Sequence, residues 1–449
     1  MRNILLLLFL TVSALGFAQE TQQRYTLSLE QAVAHALEHN YTVINSKRDI
    51  EKAERKKWET TATGLPQINA GVDYTYNIVI PKTSIPAQLV DSTAGPGEFR
   101  AVEFSPKQTM TARTTLNQLI FDGSYIVALQ ASKTYLKYYQ NYKRKTDQEV
   151  REMVVNAYSN VLLTEESIEI LKKNKSILEK TLHDTDETFK QGLIEEESVE
   201  QLQITLATVN NNLNNSQRLR EISLNLLKLN LGIDLGSEVI LTDKLDALTQ
   251  QNLELAFSSS EFDVKNNIDY QIGENYSEQR RLEYKLEKAK ALPSLSANLN
   301  LGTNAFSDER FDFLQSNKPW FAYSSVGASL NWPIFTSFGR HAKIQQAKIA
   351  YDQAKTDLTH TEQQLKLAYL QAKSEYEFSI EQYATYKSNL KLAERIENKQ
   401  QVKFTEGLST SFDFNDAQQQ LYTAQQQYLQ SMIDVINKRA ALEKIITKP

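Results

Sequence analysis

The sequence predicts a mainly α-helical, internally duplicated chain that places four transmembrane β-strands in a bilayer. Three observations predict it. The chain opens with a leader for export and has no later apolar run long enough for a membrane helix. Four segments alternate apolar and polar residues. The order helix, strand, strand, helix is written twice.

The leader comes first. Arg2 precedes ILLLLFLTVSALGF, and Gly16 and Ala18 supply the small residues of a cleavage site, so residues 1–18 read as a secretory signal peptide. The apolar run has about 14 residues, whereas a membrane span needs about 20. The chain has no cysteine, which excludes a lipid anchor after the cut, disulfides and thiolate chemistry. An exported chain of this kind crosses a membrane only as a β-barrel. A net charge of -5 with both signs mixed gives no nucleic-acid footprint. With 14 glycines and 9 prolines in 449 residues, the composition suits long helices with few turns.

The duplication is legible in short matches. TTLNQLIFDG ends at Gly123 and ASLNWPIFTSFG at Gly339, with Asn117 and Asn331 lying 214 apart. TGLPQINAGVDYTYN (63–77) corresponds to KALPSLSANLNLGTN (290–304). ETFKQGLIEEESVEQLQ (187–203) corresponds to QVKFTEGLSTSFDFNDAQ (401–418), with Phe189 to Phe404 and Gly192 to Gly407 both 215 apart. The first copy is longer between its Leu-Pro and its asparagine, and the excess lies in a proline-rich, mixed-charge loop at 79–108. The division that follows is a first repeat at 19–230, a linker or equatorial segment at 231–266 and a second repeat at 267–449.

Strands are expected at about 67–78, 109–119, 294–304 and 321–332. In the first, Ile68, Ala70, Val72, Tyr74 and Tyr76 share one face, and Asn69, Gly71, Asp73 and Thr75 the other. Soluble hairpins with one wet face would alternate in the same way. The leader, and aromatics near strand ends such as Tyr74, Tyr76, Trp320, Phe321 and Trp332, favour a membrane. Four strands cannot close, since open edges in lipid leave backbone groups unpaired. The chain must therefore oligomerise, and two or three copies give eight or twelve strands.

Helical hairpins are expected at 123–230 and 339–447. No proline or glycine falls between Gly123 and Lys190, a length of about 100 Å at about 1.5 Å per residue. Val199, Leu202, Leu206, Val209 and Leu213 step by three and four, the spacing of helices packed side by side. The return of the second hairpin is placed from Asp413. An inert exported coiled-coil scaffold or adaptor would explain the heptads but not the strands.

Taken together, these segments resemble the TolC-like outer membrane efflux proteins. The likeness rests on the opening YTLSLEQAVAHALEHN helix, the Leu-Pro before each first strand, the Leu-Asn-x-x-Ile-Phe exits and the Phe-x-x-Gly-Leu turns. It implies a homotrimer with a twelve-stranded barrel in the outer membrane lipid and an α-helical barrel in the periplasm. It further implies a periplasmic adaptor and an inner-membrane transporter as partners, proton-driven in the commoner pairing. Drugs, metal ions and secreted proteins all fit such a duct.

The resemblance also nominates residues. The family's aspartate gate falls on Asp413 and Asp416, three apart on one helix face, where three chains would stack two rings of carboxylates. The same two residues also read as the acidic first turn of a helix. The arginine that the family often has just after this glycine is replaced by Ser409, so the closed tip must be held differently. Gly192, Leu193, Gly407 and Leu408 mark the turns expected to meet an adaptor, and they read equally as helix-end signals. Glu195, Glu196 and Glu197 read as charge at a helix N-terminus.

Nothing in the chain reads as an enzyme, and no cofactor or resident metal is expected. His35 and His39 bracket HALEH, a zinc-peptidase pattern of five residues without a third ligand. His183, His341 and His360 are scattered.

Overall fold

A computed structural model describes residues 24–254, 262–308, 311–315 and 317–446. The leader expected at 1–18 lies outside the described residues. The chain forms two compact units that cut across the repeats. One takes everything up to Ile50, Tyr138–Glu274 and Asp357 onward, and the other takes Glu51–Lys137 with Asn275–Thr356. Each repeat therefore contributes to both.

The second of these units is built on one antiparallel sheet of four strands, β2 (Gln67–Tyr76), β5 (Gln108–Asp122), β7 (Ser294–Ser307) and β8 (Phe321–Asn331), in the order β2-β5-β7-β8. The inner pair, β5 and β7, joins the two repeats. The register puts Ile68, Leu116, Leu299 and Val326 in one row, and Asn69, Thr115, Asn300 and Ser325 in the next row on the other face. Period-two alternation has thus sorted all four strands onto the same two faces. β2 and β8 are the edges.

The boundaries differ from those expected in ways the backbone explains. β5 continues to Asp122 through an irregularity between Leu119 and Phe121. β8 stops at Asn331, two residues before Pro333, which has no N–H to donate. The loop at 79–108 contains a small hairpin of β3 (Lys82–Pro86) and β4 (Phe99–Glu103), with Lys82 and Glu103 3.5 Å apart. Gly64 lets the ring of Tyr125 lie where a Cβ would stand, and the Tyr125 hydroxyl donates to the Thr61 carbonyl at 3.0 Å. That contact ties the end of α2 (Tyr41–Ala62) to the start of the long helix α3 (Gly123–Lys190).

The other unit holds two helical hairpins and a small sheet. α3 returns as α4 (Glu196–Leu231), and α7 (Gly339–Thr405) returns as α8 (Ser411–Ile446). Val199, Leu202, Val209 and Leu213 are buried, with Leu206 partly so, as their spacing requires. α4 ends at Gly232, whose φ of 73° is left-handed and whose missing side chain lets the His39 carbonyl approach.

Two segments hold elements beyond those expected. The opening stretch is not helix throughout: Arg24–Leu27 forms β1, Ser28 caps α1 (Leu29–His39) through a capping box with Gln31, and Asn40 separates it from α2. The segment expected as a linker or equatorial segment carries structure of its own. β6 (Glu238–Leu241) pairs in parallel with β1, and α5 (Leu245–Gln251) follows. Asp243 accepts from the Leu29 N–H at 2.7 Å and lies 3.0 Å from the hydroxyl of fully buried Tyr158, whose ionisation burial suppresses. α6 (Ile268–Ala289) leads back into β7.

Candidate functional site

The predicted residues gather at the turns of the two hairpins. Each turn is a Schellman motif. The Leu193 N–H reaches the Thr188 carbonyl at 3.3 Å and the Gly192 N–H that of Phe189 at 2.7 Å. In the second copy Leu408 reaches Lys403 at 2.7 Å and Gly407 reaches Phe404 at 3.0 Å. Gly192 and Gly407 carry φ of 74° and 70°, where a side chain would be strained although nothing crowds it. This motif usually folds its last apolar residue back onto the helix. Here it does not: Leu193 is 71% and Leu408 77% exposed. Phe412 beside them is also exposed. A polar cleft of about 1130 Å³ lies between the turns, lined by residues including Thr185, Thr188, Glu195, Thr405 and Ser409.

Asp413 lies at the third position of α8, because the helix starts at Ser411 and not at Asp413 as expected. Thr410 and Asp413 form a reciprocal capping box. The Asp413 N–H donates to Thr410 Oγ1 at 3.2 Å, and Asp413 Oδ2 accepts from the Thr410 hydroxyl at 2.7 Å and N–H at 3.3 Å. Those bonds, the Thr410 hydroxyl foremost, hold the Asp413 carboxyl below the usual aspartate range. Asp416, one turn on, is exposed and accepts from Gln420 Nε2 at 2.7 Å. Ser409 Oγ lies 3.2 Å from Gln400 Oε1 and 3.4 Å from Asp413 Oδ2. In the position of the family's arginine it therefore supports the cap. Glu195, Glu196 and Glu197 flank the start of α4, and no side chain caps that helix.

Sequence reasoning weighed these aspartates as first-turn caps but missed Thr410 as the partner, although TSFD carries the Thr-x-x-acid signature at 410–413. It also missed the polar ties between the hairpins. Thr205 donates to Asn415 at 3.1 Å, Asn415 to Gln201 at 3.3 Å, and buried Asn174 to Gln425 at 2.9 Å. Each of these is a pair brought together by tertiary packing, with no local signal.

HALEH takes the form of a helix end. The rings of His35 and His39 stack at 4.2 Å, and burial, then the neighbouring His39, pushes His35 below the usual histidine range.

With this geometry in place, comparison is informative. Residues 265–447 match the model of the family described as outer membrane efflux protein. That match covers the second repeat, and the first repeat is written to the same pattern. The fold extends the likeness to nearly the whole chain. A crystal structure of CusC superposes with a TM-score of 0.74 at 14% identity, covering 94% of this chain and 92% of that one. The Campylobacter jejuni CmeC outer membrane channel gives 0.71 at 18%, covering 93% and 85%. The Vibrio cholerae outer membrane protein VceC gives 0.70 at 15%, covering 93% and 95%. No curated protein matches the chain in sequence.

Proposed function

We propose that the chain is the exit duct of a tripartite efflux pump or type I secretion system. Three copies close a twelve-stranded barrel in the outer membrane, and their hairpins form a periplasmic α-helical barrel that conducts passively once an adaptor opens the tip. The observation that carries this reading is the sheet. It has two free edges, and Ile68, Val72, Leu301, Val326 and Leu330 are exposed on a single apolar face. Exposed apolar area of that extent belongs against lipid, and free edges in lipid must be paired by another copy. The opposite face suits a wet lumen. It carries asparagine, threonine and serine, with one ion pair, Arg113 to Asp73 at 3.2 Å.

The tip follows from the same reading. Asp413 and Asp416 in three copies form two acidic rings that favour cations. Exposed Leu193 and Leu408, beyond their glycines, are apolar knobs for an adaptor. The transporter that supplies energy sits in the inner membrane and is proton-driven.

The test is conductance in planar bilayers of the detergent-purified protein, wild type beside Asp413→Ala/Asp416→Ala. The first hairpin supplies the control, since Ser198 and Gln201 occupy the corresponding positions. Small cation-selective openings that lose selectivity in the aspartate variant, but not in Ser198→Ala/Gln201→Ala, support duct and gate together. Conductance unchanged in the aspartate variant removes the gate and leaves the duct. A soluble, non-conducting protein returns the coiled-coil adaptor as the better reading.

A further inference from the structure

The two hairpins are in register over their whole length, so each serves as a control for the other. Leu178 and Leu182 of α3 correspond to Ala393 and Glu397 of α7. Val199, Leu202 and Leu206 of α4 correspond to Phe414, Ala417 and Leu421 of α8. The first seam is apolar: Leu178, Leu202 and Val209 are buried in one cluster with Phe414 of α8, and Leu182, Leu206, Phe404 and Tyr422 pack on it.

The second seam departs from that pattern at one place. Glu397 is 7% exposed, positioned along α7 between the Ala393–Leu421–Ala424 cluster and the stacked rings of Phe404 and Phe414. Among the described residues no cation pairs with it. Facing it from α8 is Gln418, 2% exposed, which lies near enough to favour the charged carboxylate and whose Oε1 has no partner. Tyr422, also on α8, is the other titratable group that feels the Glu397 charge, and its own burial keeps its hydroxyl protonated. Burial raises Glu397 above the usual glutamate range, and neighbouring Gln418 only partly opposes it.

An ionised carboxylate accepts and cannot donate. It therefore offers nothing to Gln418 Oε1, which is orphaned. A protonated carboxyl has one hydroxyl to give, and the orphaned amide oxygen is the acceptor it lacks. We propose that Glu397 and Gln418 form a proton-binding site that fastens the α7–α8 seam. A proton from solvent adds to the carboxylate, the new hydroxyl donates to Gln418 Oε1, and Gln418 Nε2 donates back to the other oxygen. Losing the proton leaves a buried, unpaired charge and an unpaired amide oxygen in an otherwise apolar seam. The second hairpin is thus tight in acid and loosens as pH rises, while the first is indifferent. The sign follows from linkage. The folded chain holds this proton more strongly than the unfolded one, so the stabilisation is full below the ordinary glutamate value and is lost as pH rises through the raised one. The site stands whether or not the chain conducts.

The test is amide hydrogen exchange on the full chain in detergent between about pH 5 and pH 8, a range that starts near the ordinary glutamate value and extends above it. Exchange of the 390–424 seam is divided by that of the 175–209 seam, which cancels the intrinsic pH dependence. In wild type the ratio should rise several-fold across the range. In Glu397→Gln, a neutral isostere, and in Glu397→Leu, which copies Leu182, it should stay level. An unchanged first seam verifies that both variants fold. A level ratio in wild type, or a rise that persists in Glu397→Gln, overturns the proposal.

Discussion

The two hairpins have nearly the same backbone and different contents. They begin 216 and end 215 residues apart, turn through the same Schellman motif, and expose the same leucine beyond it. Near the turn, the first packs leucine and valine where the second packs alanine, glutamate and phenylalanine. Further from the turn the contrast reverses. Arg220 pairs with Glu165 at 2.6 Å in the first hairpin, and their counterparts in the second are Val435 and Ile380, both packed in the main core. Acid at the start of the return helix is placed differently: Asp413 and Asp416 answer to Ser198 and Gln201, while the first copy carries Glu195, Glu196 and Glu197. The two copies share backbone geometry and differ in where their polar chemistry sits.

The comparison is broken most severely through Phe414. It is fully buried and stacks on Phe404 with centroids 5.3 Å apart, whereas the first copy fills the same place with Val199. Phe414→Ala should cost about 3–5 kcal/mol of local stability, the usual cost of a buried aromatic. Val199→Ala removes fewer atoms and should cost less. Hydrogen exchange at each hairpin end reads both, and equal costs would mean that the second tip is not held by its aromatic pair.

Gly192→Ala and Gly407→Ala sharpen the shared part. Both positions are left-handed with no atom close enough to clash, so the cost is conformational alone, about 1 kcal/mol each. The two values should agree. A much larger one at either turn would reveal a contact made only in an assembly.

The repeat, the four strands and the hairpin ends were legible because each is a local pattern, written twice. Alternation needs no partner to be seen, and Gly-Leu after a helical run is a stop signal in any context. The pairing of β1 with β6 was not legible. Four residues at each of two distant places, Arg24–Leu27 and Glu238–Leu241, carry too little pattern to announce a sheet. Asp413 was nominated for a gating role through family likeness and weighed as a cap, while Thr410, its partner in TSFD, went unread. Glu397 was invisible for a different reason. On one helix a glutamate looks solvated, and only the facing helix buries it. Gln418 likewise became an orphan only through tertiary contact.

Arg220→Leu tests the reversed part of the contrast with a smaller effect. Both partners are roughly a third or more exposed, so the pair should contribute about 0–1 kcal/mol after solvent screening. The leucine copies the apolar solution of the second hairpin, and chemical denaturation should show little net change. A loss of several kcal/mol would show that this ion pair is a required brace of the first hairpin.

The smallest effect expected is an acid response at the second tip alone. Asp413 is held below its ordinary range by the Thr410 bonds, so the folded chain binds this proton more weakly than the unfolded one. Its contribution is therefore present above the ordinary aspartate value of about 3.9 and is lost as pH falls through the lowered one. Full exposure keeps the contribution slight. In the first hairpin the corresponding Ser198 cannot titrate and Glu195 makes no side-chain cap, so that tip should lack this arm. Asp413→Asn, read by exchange at the α8 start as pH is lowered, should remove the acid response while Thr410→Ala weakens it. This arm runs opposite to the one expected from Glu397, which fastens its seam as pH falls. The second hairpin should therefore fray at its turn in strong acid while its seam stays closed. Turn and seam loosening together under acid would show that the two carboxyls do not act independently.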